Sequence, residues 1–417
     1  MQKVLIISYF FPPCNFVGGE RTSFWAENLY KENIYPIIIT RNWNERQKDI
    51  IGKVENNNYK IDQNKKREIH YLKYKHQPRD FVKNIIPLRK IFTLIQQLCF
   101  YIIPKSVNYY NFYKKSYELL YKNDEIKTVI ISGRPFEAFY FGYKLKKKFP
   151  HINWVPDYRD QWNTYQDKSS KSILTKCFSL IEKKLEKKWT SNSTFFISTT
   201  PEWTSNICDF IKKKGEVILN GFDGEIIDQK EKKETDILSI IYAGTLYPNQ
   251  EIESFLEIIS ELNTKNNRIS IEFIGCEMIP SQKERLEKLK DKHIGTFKIT
   301  NRLQKKELQN KLIYADLYYL TSFANVKGWY PVKLFEYARF PSPIILFPSD
   351  NDIMDDFIKK TKTGFTINHK KDLEKKIIEL INFKAINKPT ILEKNFNELA
   401  KFSRSYQTSK LANILKK

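Results

Sequence analysis

Short runs of β-branched and aliphatic residues alternate with stretches of helical periodicity along almost the whole chain, and this alternation restricts the fold more than any other feature. Strand-like runs fall at residues 4–10, 37–40, 128–132, 153–156 and 194–198, then at 239–243, 269–274, 296–300, 317–320 and 344–347. Between them, 172–189 sets Ile173, Cys177, Ile181, Leu185 and Trp189 four apart. The stretch 251–262 gathers Ile252, Phe255, Leu256 and Ile259 on one helical face. Strands that alternate with helices predict parallel sheets covered on both faces. The pattern restarts near residue 237, after the polar run 228–236, which reads as a linker.

The expected fold is therefore α/β, with two doubly wound Rossmann-like domains facing a cleft. A first domain is expected over 1–227 and a second over 237–390. A helical segment over 391–417 has no strand to follow, and is expected to pack back on the first domain. In such folds ligands sit at the carboxyl ends of the strands. A length of 417 residues suits two domains, and 41% hydrophobic content lets each bury a core.

Five cysteines, at 14, 99, 177, 208 and 276, are odd in number, widely spaced and without a CxxC. That spacing argues for a reducing cytoplasm and against a disulfide framework or zinc site. The five histidines form no metal-spaced pair. Met1-Gln2-Lys3 runs into a strand-like segment with no signal-peptide cleavage site, and no apolar stretch reaches transmembrane length. The net charge of +23 fits nucleic acid, an anionic membrane surface, an acidic substrate or plain solubility.

Segment 327–343 reads as a loop, a helix with Lys333 and Glu336 near its start, and a turn into the apolar run 344–347. A helix start, a lysine in its first turn and a glutamate one turn on outline a cradle for a diphosphate and a vicinal diol. An ordinary amphipathic helix carries the same residues. The first strand-like run ends in Pro12-Pro13 and then Gly18-Gly19, where a backbone can approach a ligand. No GxGxxG occurs. Asp157, Arg159, Asp160 and Trp162 follow another strand-like run. They are equally readable as a tied loop or as groups that orient a sugar hydroxyl beside an aromatic platform. Gly244-Thr245-Leu246 follows a strand in a loop of small residues.

Taken in order, PP…VGGERTSFWAENLYKENIYPIIITRNW, VPDYRDQW, ILNGFD, IIYAGTLYPNQ…SFLEII, FIG, YADLYYL and KLFEYARFPSPIIL resemble the GT-B-fold, family-4 retaining glycosyltransferases of bacterial surface-polysaccharide assembly. The resemblance spans nearly the whole chain. It implies that Gly18 and Gly19 approach the donor diphosphate and the acceptor, that Gly244 and Thr245 lie near the diphosphate, that Lys333 faces the phosphates and that Glu336 binds ribose. The family's other glutamate, eight residues before Glu336, is replaced by Gly328, and the basic residue often found after the Gly-x-Leu loop is missing. Phosphate neutralisation then leans on Lys333, helped by Arg302 or Lys327. Asp157, Asp160 and Arg159 are the expected catalytic-site residues around the acceptor hydroxyl.

The implied activity is metal-independent transfer of a hexosyl or N-acetylhexosaminyl group from a nucleotide-diphosphate sugar, with retention, to a glycan or lipid-linked acceptor. No cofactor is implied. Asp350-Asn351-Asp352 matches the D-x-D metal signature of another glycosyltransferase fold, but aspartates opening a helix read as a cap.

The stretch 81–117 contains no acidic residue, while cations and aromatics interleave along it. That pattern suits a membrane interface or single-stranded nucleic acid. Peripheral docking on the inner face of the cell membrane through Lys83, Arg89 and Lys90 is the expectation, with nucleic acid not expected as a partner. Two further readings stand beside sugar transfer: a nucleotide-sugar 2-epimerase, which would convert its donor without acceptor, and a nucleic-acid-binding protein.

Overall fold

Leu5 and Ile7 of the first strand enter one apolar core, while Val4 and Ile6 enter another. Side chains alternate between the faces of a strand, so a strand apolar at every position must be covered on both sides. This strand is β1 (Gln2–Ser8). The computed structural model describes the whole chain except residues 15, 44–58, 76, 83–84, 165–172, 228–234, 267, 294–296 and 387–391.

The chain divides into two units, 1–219 with 407–417, and 220–406. Unit 1 adds β2 (Ile34–Arg41), β3 (Lys60–Gln63), β4 (Glu68–Leu72), β5 (Ile126–Gly133), β6 (Asn153–Tyr158), β7 (Phe196–Ser198) and β8 (Gly215–Val217), in the order β3-β4-β2-β1-β5-β6-β7-β8. Leu5 of β1 lies level with Ile37 of β2 and Val129 of β5, in parallel register. The edge pair β3–β4 is antiparallel, an addition to the parallel sheet expected from the alternation.

Unit 2 has β9 (Leu238–Ala243), β10 (Ile269–Ile274), β11 (Phe297–Thr300), β12 (Leu317–Leu320), β13 (Ile344–Leu346) and β14 (Gly364–Thr366). They form an all-parallel sheet in the order β11-β10-β9-β12-β13-β14. Here too Ile240 and Tyr242 feed one core, and Ile241 and Ala243 the other. The doubly wound α/β class expected from the alternation holds in both units.

The boundary at Leu219 and Asn220 lies ahead of the polar run 228–236, most of which falls outside the described residues. The helical stretch 396–415 is two helices, Phe396–Ala400 and Arg404–Leu415. Leu411, Ala412 and Leu415 of the second share a core with Val4, Ile6 and Trp25 of unit 1. Gln407 Oε1 accepts from Leu219 N at 2.9 Å, and Gln2 Nε2 donates to Leu415 O at 3.0 Å.

The stripe expected in 172–189 is buried toward its carboxyl end, with the Ile173 side chain outside those described. Trp189 is in the core and Leu185 packs against it, while Cys177 and Ile181 of helix Ile173–Thr190 are exposed.

Candidate functional site

In unit 2, the carboxyl end of β9 opens into a loop built around Gly244 and Thr245. Gly244 has φ +99°, a conformation L side chains rarely adopt, which lets β9 turn sharply at its end. Its N–H donates to Ile274 O at 2.8 Å, tying the loop to the end of β10. The helix Val332–Ala338 carries Lys333 to this loop. Lys333 Nζ donates to Thr245 O at 3.1 Å and sits 3.8 Å from the centre of the Tyr242 ring. A Cβ built on Gly244 would lie 3.5 Å from Lys333 Cε. The structure thus brings Gly244, Thr245 and Lys333 together.

Among the described residues, no carboxylate pairs with Lys333. Its side chain keeps some solvent access, but its surroundings are dense enough that burial pushes the ammonium down to about 7. The thiol of Cys276, buried beside it and donating to Gly244 O at 3.4 Å, is pushed up to about 12 by the same burial. An amine desolvated without a counter-charge is a receptor for an anion. The N–H and hydroxyl of Thr245 take no part in the hydrogen bonds of the loop, and Gly244 is exposed. The helix itself spans seven residues with Pro331 at its cap and no side-chain cap bond. Two turns make a weak dipole, so at this helix start the ammonium of Lys333 is the stronger cationic feature.

Glu336 lies one turn after Lys333 and is partly exposed. Its Oε2 accepts from Arg339 Nε at 3.1 Å, and Arg339 Nη1 donates to Glu225 O at 3.2 Å. Arg339 therefore fixes the carboxylate and leaves Oε1 open for a diol. Arg302 stands after β11, its Cα 3.5 Å from where a Gly275 Cβ would be and its N–H on Glu277 Oε1 at 2.7 Å. It borders the same carboxyl-end rim, two strands from β9. At the position where a second glutamate is expected, Gly328 N donates to Asp352 Oδ2 at 2.6 Å. A carboxylate thus reaches that place from a different loop. Asp350 accepts from Met354 N and Asp355 N, both at 3.0 Å, at the start of helix Ile353–Thr361. Both D-x-D carboxylates are thereby engaged by backbone N–H groups.

In unit 1, the turn Val17–Gly19 leads from β1 into helix Glu20–Asn28. Gly18 and Gly19 are both buried. A Cβ on Gly18 would fall 1.8 Å from Arg159 Nη1, so the guanidinium of Arg159 lies directly on the glycine. Asp160 Oδ2 is 3.9 Å from Arg159 Nη2 and 3.7 Å from Arg134 Nε, and remains well exposed. Two arginines therefore converge on one accessible carboxylate.

Asp157 is a correction. It was expected among the groups at the acceptor hydroxyl, but its carboxylate is fully buried at the end of β6. Oδ1 is 3.0 Å from Arg21 Nη2, and Ser132 Oγ donates to Oδ2 at 2.9 Å. Burial pushes its carboxyl up and Arg21 opposes that shift. Arg21 in turn donates to Ile218 O. Asp157 and Arg21 hold the Gly18 turn and β6 in place, Arg159 stays buried against Gly18, and Asp160 reaches the surface beyond them. Neither Arg21 nor Ser132 was singled out from the sequence: the contacts span 136 and 25 residues, beyond any local spacing rule.

A cavity of about 260 Å³ opens next to Arg134, lined by Tyr101, Arg134, Phe136, Glu137, Trp162 and Glu182. Trp162 stacks on Phe136 with ring centres 5.2 Å apart and planes 5° from parallel. Tyr101 OH donates to Glu182 Oε1 at 2.5 Å. One turn along, Glu186 accepts from Tyr158 OH at 2.9 Å and Asn163 Nδ2 at 2.7 Å, and burial raises its carboxyl to about 7. A larger hollow of about 380 Å³ in unit 2 lies at the opposite, amino ends of β9 and β10. Its charges are already matched, Lys311 with Glu272 at 2.7 Å and Lys384 with Asp316 at 3.1 Å, so it offers no open cation.

Residues 223–399 match the sequence model of a family described as glycosyl transferases group 1. That stretch contains Gly244, Thr245, Arg302, Lys333 and Glu336. Over its full length the chain is similar in structure to HepE of Anabaena, solved with UDP-glucose, at 10% identity and a TM-score of 0.60, with 100% of each chain covered. It is similar to a glycosyltransferase from Rickettsia africae at 14% identity and a TM-score of 0.61, covering 100% of this chain and 98% of that one. TarM, the S. aureus protein, gives 12% identity and a TM-score of 0.61, with 100% and 99% covered. The chain has the GT-B fold. No curated protein matches its sequence. In this GT-B chain the family match covers the Lys333 loop of unit 2, and the Gly18 turn of unit 1 stands outside it.

Proposed function

We propose that the protein transfers a sugar from a nucleotide-diphosphate donor to an acceptor hydroxyl. The observation that carries this reading is the ammonium of Lys333. It is desolvated, unpaired with any carboxylate among the described residues, and pressed against the Gly244–Thr245 loop at the carboxyl end of a parallel sheet. A diphosphate restores its positive charge. When the bond from the sugar C1 to the diphosphate oxygen breaks, that charge stabilises the leaving group. The bond from C1 to the acceptor oxygen forms as the acceptor's proton is released. Glu336, held by Arg339, accepts hydrogen bonds from the ribose diol. The family match over 223–399 and the UDP-glucose bound by HepE support a nucleotide sugar as donor.

On the acceptor side, Asp160 faces the hydroxyl with the buried Arg159 behind it, while Trp162 and Phe136 give the saccharide an aromatic wall and Glu137 and Glu182 its hydrogen-bond acceptors. The resemblance to family-4 enzymes supports retention at C1, a hexosyl or N-acetylhexosaminyl group, independence from metal, and a lipid-linked glycan of surface-polysaccharide assembly as acceptor.

A thermal-shift screen over nucleoside diphosphates and their sugars tests the donor reading. A ligand that binds only the folded state stabilises it by RT ln(1 + [L]/Kd), about 2.7 kcal/mol at a hundredfold excess over Kd. One nucleotide and its sugar should raise the unfolding temperature clearly above the others. Equal, null responses to all of them would remove the reading.

A further inference from the structure

The helix Ile86–Ile102 is amphipathic in the wrong sense for a helix of a solvated unit. Leu88, Ile91, Ile95, Leu98 and Ile102 recur at spacings of three and four, and all are exposed: Ile91 is 51% accessible, Ile95 47% and Ile102 79%. The inward side carries Phe92, Gln96, Gln97, Phe100 and Tyr101. Gln97 Nε2 donates to Glu182 Oε1 at 3.0 Å, and Phe100 is the buried residue of the helix. The neighbouring helix Ile173–Thr190 lies alongside, with Tyr101 and Phe178 ring centres 5.8 Å apart and Phe100 and Trp189 5.4 Å apart. It adds the exposed Leu180 and Ile181 to the same kind of surface. An exposed aliphatic stripe running along one helix marks an interaction site.

Charge decides its occupant. No acidic residue occurs from 81 to 117, and Arg89, Lys90 and Lys105 are exposed on or beside the helix. Lys176, Lys183 and Lys184 are exposed on the neighbour. A second copy of a chain with net charge +23 would bring like charge against like. Single-stranded nucleic acid stacks on aromatic faces, and the exposed stripe is aliphatic. A helix of 17 residues is about 25 Å long. No described helix is long and apolar enough to cross a membrane. An apolar stripe flanked by cations lies in the plane of the headgroups, with its side chains in the acyl boundary.

We propose that the outward face of helix Ile86–Ile102, with Leu180 and Ile181 beside it, inserts into the surface of an anionic bilayer as a monotopic seat. Insertion of aliphatic side chains is the anchor, and the lysines and arginines around it read the anionic lipid. This revises the expected docking site, which rested on Lys83, Arg89 and Lys90: Lys83 falls outside the described residues, and the aliphatic stripe carries the contact. The cavity lined by Arg134, Phe136, Glu137 and Trp162 is bordered by Tyr101 and Glu182 of these two helices, so the seat would bring a lipid-linked saccharide to it. Vesicle binding itself is read without any substrate and stands or falls apart from the sugar-transfer reading.

The test is flotation of the full chain with vesicles of phosphatidylcholine alone and with phosphatidylglycerol added. The wild type should float with the anionic vesicles and much less with the neutral ones. The double variant Ile91→Glu/Ile95→Glu should lower partitioning at least about a hundredfold, since it removes two inserted side chains and adds two anions. Arg89→Glu/Lys90→Glu should lower it about tenfold or more, with the loss shrinking at high salt. These residues are exposed, so the unfolding temperature should not move. As an independent readout, emission from an Ile95→Trp variant should be quenched by brominated acyl chains relative to wild type. Failure of the wild type to float with anionic vesicles overturns the proposal. So does unchanged flotation of the double glutamate variant, absence of quenching, or a wild-type dimer that Ile91→Glu converts to monomer.

Discussion

Replacing Lys333 with methionine separates its role in binding from its cost to the fold. Burial lowers its ammonium from 10.5 to about 7. Each pKa unit is worth about 1.4 kcal/mol, so holding this lysine costs the native state about 4 kcal/mol at neutral pH. Methionine fills a similar volume and removes that cost. It also removes the contact with the Tyr242 ring and the hydrogen bond to Thr245 O, each worth about 1 kcal/mol. Without nucleotide, Lys333→Met should therefore be more stable than wild type by about 2 kcal/mol at pH 7, a rise of several degrees in unfolding temperature. The sign of the pH dependence follows from the lowered pKa. Between pH 7 and 10.5 the unfolded chain holds the proton that the folded one has released, so wild-type stability rises with pH across that window. The gain from methionine should thus be largest at and below pH 7 and fade toward 10.5. Binding moves the other way. Loss of a charge-assisted contact, about 1.5–3 kcal/mol, should weaken nucleoside diphosphate by at least about tenfold. Calorimetric titration and thermal unfolding of both proteins give the two numbers. A variant that is less stable than wild type at pH 7 without nucleotide, or that binds nucleotide as tightly, would refute the assignment.

Glu336→Ala should weaken the donor about tenfold or more in calorimetric titration, because a charged acceptor of two hydrogen bonds is lost. In wild type, affinity for nucleoside diphosphate should fall as pH rises above 7, by at most about tenfold per unit, until the lysine of the complex itself titrates; a flat profile from pH 7 to 9 would exclude Lys333 from the contact. Glu186, raised to about 7, is more costly to the fold above that pH than below 4.5, so Glu186→Gln should raise the unfolding temperature at pH 8 and change it little at pH 4. Gly18→Ala puts a methyl where the Arg159 guanidinium lies, so that guanidinium must swing away and initial rates of transfer should fall.

Strands buried on both faces were the most legible part of the fold. β10 and β12 stand where their apolar runs predict them. The strands without such a run were not singled out: β3 and β4 mix charged and polar residues into an edge hairpin, while β8 and β14 are three residues long. The helical stripe at 172–189 had the period of a core helix, but period does not say which medium covers it, and Ile181 turned out exposed. For the site, the loop after β9 and the lysine that meets it lie 88 residues apart. Residue types and the family resemblance pointed to both, yet the Tyr242 ring and Cys276 thiol around the ammonium are products of packing. Asp157 shows the opposite limit. A charged cluster at a strand end reads as surface, and only the buried Arg21 reveals it as an internal ion pair.

The central claim is that this chain moves a sugar from a nucleotide to an acceptor. Incubation of the purified protein with the nucleotide sugar that stabilises it, with and without lipid extract as acceptor, tests this most directly. The account predicts release of nucleoside diphosphate together with labelled sugar in the organic phase only when acceptor is present, with both greatly reduced in Lys333→Met. Conversion of the donor sugar with no acceptor added, or no release of nucleoside diphosphate in its presence, would contradict it.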